Sequence, residues 1–207
     1  DFVGITDEAI SSAASGSVVV QGGVGTGVSL PYPLIVGAPV IFEAAATYST
    51  ATVFDSNSNK VVISYRDVGN SSYGTSVVGT VSGTTITFGT PVVFETASVN
   101  HLRATFDSTS NKVVIVYSDV GNSSYGTAIV GTVSGTSISF GTAVVYNSSG
   151  ISDSGVTFDS TNNKVVIAYQ HNTNSNYGTA IVGTVSGTAI SFGTDVVFET
   201  ASVASVA

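Results

Sequence analysis

Short apolar runs alternate with polar, glycine-marked breaks along most of the chain, and no apolar stretch keeps a helical period. In Lys60-Val61-Val62-Ile63-Ser64-Tyr65 three apolar residues follow one another without polar alternation, the pattern of a strand covered on both faces. Just before it, Asp55-Ser56-Asn57-Ser58-Asn59 predicts a turn, because Asp and Asn side chains bond their own backbone and tolerate left-handed geometry. A first strand therefore ends at Phe54, and a hairpin joins it to the second. A third strand is predicted from about Tyr73 to Ser82, turning at Ser82-Gly83 into Thr84 to Phe88. Beyond the Gly89-Thr90 break a fourth strand resumes from Pro91 to Glu95, bent or bulged because Gly and Pro interrupt ladder pairing.

This pattern recurs with a fixed period. Phe-Asp stands at 54, 106 and 158, a spacing of 52 residues (106 − 54 = 158 − 106 = 52). The same spacing relates the Lys-Val-Val-Ile segments at 60, 112 and 164, the Tyr-Gly-Thr segments at 73, 125 and 177, and the Gly-Thr-Val-Ser-Gly-Thr segments at 79, 131 and 183. Upstream, Gly37-Ala38-Pro39-Val40-Ile41-Phe42-Glu43 matches Gly89-Thr90-Pro91-Val92-Val93-Phe94-Glu95 one period later, so a leading strand precedes three full copies. The expected fold is all-β: tandem four-stranded antiparallel sheets over residues 34–207, resembling β-propeller blades in an incomplete ring. A propeller needs about 4–8 blades; a longer parent chain is expected to complete the array, in preference to neighbouring subunits, because Glu199-Thr200-Ala201-Ser202-Val203 repeats Glu95-Thr96-Ala97-Ser98-Val99 and breaks off before the next Phe-Asp. The chain also begins at Asp1 and contains no Met, which points to processing or to a segment of something longer.

Residues 1–33 lie outside the repeat and read as a docking arm or small β module. Thr6-Asp7-Glu8-Ala9-Ile10 has the capping and acidic first turn of a short helix, and Gly16-Ser17-Val18-Val19-Val20 reads as one strand. A lone strand needs a partner, so this segment is expected to pair with the repeats or with another subunit.

Composition narrows the function classes. Only 9% of residues are charged and the net charge is −8, with 13 Asp plus Glu against 5 Lys plus Arg; this removes the basic patch that nucleic acid or an anionic membrane requires. The absence of Cys excludes disulfides, thiolate metal sites and cysteine nucleophiles. No stretch of about 20 predominantly apolar residues, the length that a bilayer-crossing helix needs, occurs in the sequence.

Candidate chemistry is sparse. Asp55-x-Asn57-x-Asn59 opens like a calcium loop, yet Lys60 stands where the loop needs Gly, so a self-capped turn is expected and no metal. The two histidines, His101 and His171, and the two arginines, Arg66 and Arg103, sit at different phases of the repeat. No Gly-x-Ser-x-Gly occurs, and most of the aspartates recur blade by blade, so they build the repeat rather than one catalytic centre. No catalytic residue and no cofactor are expected. The loops between second and third strands have binding potential: Asn70 and Tyr73, Asn122 and Tyr125, and Asn174 and Tyr177 offer rings and amides suited to sugars. The alternative is that these tyrosines open a strand and pack between blades while the Asn and Gly residues form the turn. Asn-Ser-Ser triplets at 70, 122 and 147 also fit the glycosylation pattern.

Phe158-Asp-Ser-Thr-Asn-Asn-Lys-Val-Val-Ile-Ala-Tyr169, followed by Asn176-Tyr-Gly-Thr-Ala-Ile-Val-Gly-Thr-Val-Ser-Gly-Thr-Ala-Ile-Ser-Phe-Gly-Thr194, resembles repeats in large proteins of marine bacteriophages and environmental bacteria. Phe2-Val-Gly-Ile-Thr6 and Gly16-Ser-Val-Val-Val-Gln-Gly-Gly23 are similar to a short module of such proteins. The resemblance implies a virion or extracellular location and a non-enzymatic structural role as a tail fibre, tail-tip or capsid-associated fibre. Its implied partners are other virion proteins, further copies of the chain and a host-surface polysaccharide. A secreted bacterial propeller lectin or adhesin is the competing expectation. The third copy departs at Gln170 to Asn176, which puts a site shared by all copies in doubt.

Overall fold

A computed structural model describes residues 36–204 and 206, and the expectations for the arm at 1–33 fall outside them. The described chain is all-β, with fourteen strands in antiparallel sheets and single 3-10 turns at Val68–Asn70 and Val120–Asn122. Strands β1 (Thr47–Asp55), β2 (Lys60–Asp67) and β3 (Tyr73–Ser82) pair in sequence order. The far edge of β3 is shared. Gly79–Ser82 pairs with β4 (Thr85–Phe88), and Tyr73–Ser76 pairs with the start of β5 (Val92–Asp107). Thus β4 and the start of β5 act as one fourth strand broken at 89–91, where the sequence places Gly and Pro.

The second unit uses the rest of β5 with β6 (Lys112–Asp119), β7 (Tyr125–Ser134), β8 (Ser137–Phe140) and β9 (Val144–Asn147). The third uses β10 (Ile151–Asp159), β11 (Lys164–His171), β12 (Tyr177–Ser186), β13 (Ala189–Phe192) and β14 (Val196–Ser202). One expectation needs correction. The fourth strand does not stop at Glu95 but runs 16 residues to Asp107, serving two units. Thr96-Ala97-Ser98 contains no Gly, Pro, Asn or Asp, whereas the next boundary, Ser148-Ser149-Gly150, does, and Gly150 at φ 77° separates β9 from β10.

The first hairpin of each unit closes by local hydrogen bonds. Asp55 Oδ1 accepts the backbone N–H groups of Asn57 and Ser58 at 2.9 and 3.0 Å, Asp107 those of Thr109 and Ser110, and Asp159 those of Thr161 and Asn162. Asn59, Asn111 and Asn163 end these turns in left-handed geometry, near φ 55°.

The cores lie between units. Val62 and Val78 of the first unit pack with Val113, Ile115, Tyr117, Ile129 and Ile138 of the second. The opposite face of the second unit, with Val114, Val116, Ala128 and Val130, packs on Val165, Ile167, Tyr169, Ile181 and Ile190 of the third. Val113 through Tyr117 are consequently 0% exposed, whereas β2 and β11 are fully covered mainly on one face.

Each junction repeats three contacts. An aromatic ring from the fourth strand of one unit meets two rings of the next: Phe94 lies 5.3 Å from Tyr117 and 5.6 Å from Phe140, and Tyr146 lies 5.4 Å from Tyr169 and 5.7 Å from Phe192. The neighbouring polar residue holds the next unit's tyrosine hydroxyl: Tyr117 donates to Glu95 Oε2 at 3.1 Å, and Asn147 Nδ2 donates to Tyr169 Oη at 3.4 Å. Finally, Gly89 and Gly141 press so closely on Thr136 and Thr188 that an added Cβ would stand 1.8 and 2.0 Å from their carbonyl oxygens. The leading segment applies the same trio to the first unit, with Phe42 against Tyr65 and Phe88, Glu43 accepting from the Tyr65 hydroxyl, and Gly37 on Thr84.

Candidate functional site

At one end of every unit the start of the first strand, the loop between second and third strands, and the end of the fourth strand come together. Thr47 pairs with Asp67, Asp67 with Tyr73, and Tyr73 with Ser98. Asp67 and Asp119 cap the 3-10 turns by accepting the N–H groups of Asn70 and Asn122 at 3.1 and 3.2 Å. Ser71-Ser72 and Ser123-Ser124 then reverse the chain in left-handed geometry. The third loop lacks that cap, because His171 replaces the aspartate; there Asn174 N–H bonds the His171 carbonyl and Tyr177 N–H the Asn174 carbonyl.

Asn70 and Asn122 are exposed at the rim, and Asn174 is half-buried. Tyr73, Tyr125 and Tyr177 are all half-buried and sit in the ladder, opposite Asp67, Asp119 and His171. The three Asn–Tyr pairs line the same end of successive units, the first two in one nine-stranded sheet joined through β5 and the third in a five-stranded sheet. Of the glycosylation triplets, Asn147 is buried and its amide is bonded to Tyr169, so it presents no side chain for modification.

Beside these loops lies a set of residues that the phase argument had kept apart. The first strands carry a bulge between Tyr48 and Ala51, Asn100 and Arg103, and Ile151 and Ser154. Antiparallel pairing sets Arg66 opposite Tyr48, with its guanidinium 4.8 Å from the ring centre, and Arg66 Nη1 donates to Asn100 Oδ1 of the next unit at 2.6 Å. Arg103 pairs with Asp153 of the third unit at 3.3 Å, and Ser154 Oγ donates to the His101 carbonyl at 3.0 Å. Ser152 Oγ donates to Asn172 Oδ1 at 2.6 Å, and Asp153 Oδ2 accepts the N–H of Val206. Burial holds the His101 imidazole below its ordinary pKa, against the opposing pull of Asp153, with Arg103 adding to the lowering.

Both arginines and His101 thus fall along one rim, although their repeat phases differ. The sequence signal that finds them is departure from the copy: where one unit has Tyr48, the others have Asn100 and Ser152; where one has Arg66, the others have Ser118 and Gln170. The rim offers guanidinium, imidazole, carboxamide and hydroxyl groups, suited to oxygen-rich ligands. No group of three or more His, Cys, Asp or Glu side chains placed to hold a metal ion occurs among the described residues, and no described helix is long and apolar enough to cross a membrane. Compared with family models, curated proteins and solved structures, the chain matches none of them.

Proposed function

We infer that this is a non-enzymatic structural protein of a virion, a tail-fibre, tail-tip or capsid-associated component, whose propeller-like blades hold one rim out for attachment to a host-surface polysaccharide. One observation carries the reading. The repeated side chains serve ladders, turns and junctions, while a set of polar departures from the repeat, Arg66, Asn100, Arg103 and Asp153, gathers at the rim beside Asn70, Asn122 and Asn174. A stack of like sheets is stiff and gains reach by addition, and its loops are free to vary without cost to the core. The resemblance of the repeats to bacteriophage proteins favours a virion over a secreted bacterial lectin or adhesin, which the same rim chemistry also suits.

The test is a glycan array probed with the full chain and with Asn70→Ala/Asn122→Ala, Tyr73→Ala/Tyr125→Ala/Tyr177→Ala and Arg66→Ala variants. Binding that is lost in the variants while their circular dichroism is kept supports attachment, and labelling of particles by an antibody against the chain separates virion from secreted lectin. Release of sugar from a bound polysaccharide by the purified chain would overturn the non-enzymatic assignment. Particle labelling without any glycan binding would reduce the role to scaffold alone.

A further inference from the structure

The two arginines of the rim are used differently. Arg103 has a carboxylate beside it, Asp153 of the third unit, at 3.3 Å. Arg66 has none among the described residues: its guanidinium lies over the Tyr48 ring, 4.8 Å from the ring centre, and its Nη1 donates to the neutral Asn100 Oδ1 at 2.6 Å. Nε is buried without a hydrogen-bond partner, and Nη2 has no partner but stays open to solvent. A partly buried cation held by a ring and an amide, with donors left over, lacks the anion that such a group ordinarily takes.

Its neighbours add donors. Because Asn100 Oδ1 is turned to Arg66, the amide keeps Nδ2 as a second donor with no partner, also open to solvent. Tyr48 is 54% exposed, so ring surface stays uncovered beside the guanidinium. The backbone fixes this arrangement. Ser49 and His101, which directly follow Tyr48 and Asn100, sit in the bulges in left-handed geometry, at φ 48° and 50°, which residues other than glycine adopt at a cost. The third unit carries its bulge at the same place with no left-handed residue in it. Bulges re-aim side chains, and the two strained ones stand next to the two side chains that hold Arg66.

We propose that Arg66, Asn100 and Tyr48 bind one hexuronic acid residue of an otherwise neutral host-surface polysaccharide. Arg66 Nη2 and Asn100 Nδ2 donate to its carboxylate, and the uncovered part of the Tyr48 ring meets the apolar face of the sugar. The proposal rests on the attachment reading above and names the sugar that attachment uses. Two features select the class. Donors around an uncompensated positive charge suit a carboxylate better than the hydroxyls of a neutral sugar. A dense polyanion is excluded by the rest of the chain, whose net charge is −8 and whose three lysines, Lys60, Lys112 and Lys164, stand at the hairpin ends of the strands, opposite Asp55, Asp107 and Asp159. One isolated guanidinium matches one isolated acid.

The experiment is an array of oligosaccharides that each carry one hexuronic acid among neutral sugars, printed beside the same compounds with the carboxyl group reduced to the alcohol and beside oligogalacturonate. It is probed with the full chain and with Arg66→Gln and Lys60→Gln, whose folds circular dichroism checks. Lys60→Gln makes the same change of charge about 20 Å away, at the other end of β2. The expected result is binding within the single-uronate set, weakened about tenfold or more by carboxyl reduction and by Arg66→Gln, unchanged by Lys60→Gln, and weaker for oligogalacturonate. Carboxyl reduction tests the parent chain directly, whatever the variants do. Equal binding of the reduced and unreduced compounds, or of parent and Arg66→Gln, overturns the proposal and leaves attachment standing. An equal loss in Lys60→Gln overturns it by assigning the effect to net charge, and oligogalacturonate bound as tightly as the single-uronate set overturns the isolated acid. No binding to any saccharide overturns the proposal and the attachment reading together.

Discussion

Tyr117 joins two units through one oxygen atom. Its ring, carried by the second strand of its unit, is buried against Phe94, and its hydroxyl donates to Glu95 of the preceding unit. Burial, reinforced by the negative charge of Glu95, raises its pKa well above the ordinary tyrosine value; Tyr65 and Tyr169 are raised for the same first reason. The unfolded chain releases these protons near pH 10, while the native chain keeps them to higher pH. Stability from these groups is therefore whole below about pH 10 and is lost as pH rises beyond it. Tyr117→Phe is expected to cost about 1 kcal/mol at pH 7 through the lost hydrogen bond, and to decline less steeply than the parent above pH 10. Urea titrations between pH 7 and 11 measure both, and parallel declines would refute the linkage.

At the scale of the element, the break in the fourth strand is the device that locks one unit to the next. Gly89 lies where the chain passes from β4 to β5, and its bare Cα allows the backbone of Thr136 to approach. Gly89→Ala should force that junction apart at a cost of about 1–3 kcal/mol, the range for overpacking. Gly193 occupies the same position in the third unit without a neighbouring unit against it. Gly193→Ala should fall within about 0.5 kcal/mol of the parent. Thermal and urea unfolding of the two variants compares them, and equal losses would show that the glycine serves its own strand and not the junction. The strand order and the Asp-led hairpins were legible in the sequence, since both arise from side chains acting on their own backbone within a few residues. The length of β5 was less so, because a missing turn signal is weaker than a present one.

For the whole molecule, position in the stack sets what a residue is worth. Ile63 and Ile115 are one period apart in near-identical segments, yet Ile115 is 0% exposed and Ile63 is only partly covered. Ile115→Ala is expected to cost about 2–5 kcal/mol, as for a buried isoleucine, and Ile63→Ala distinctly less. Urea midpoints at constant slope read the difference, and equal costs would contradict a stack whose core lies between units. Because each sheet is stabilised chiefly by its neighbours, the second unit should also be the last to exchange its amide hydrogens.

The period, the four strands of each unit, the Asp-capped hairpins and the exclusion of cysteine chemistry all follow from local physics along the chain. These depend on residues a few positions apart, so one chain read in order contains them. Which of three near-identical Val-Val-Ile segments is sealed on both faces follows from the stacking of the units, because it depends on what stands beside each copy. The tertiary arrangement also decides that Arg66 meets Asn100 and Arg103 meets Asp153: antiparallel pairing folds distant phases of the repeat onto one rim, and stacking then brings residues some 34 and 50 positions apart into contact.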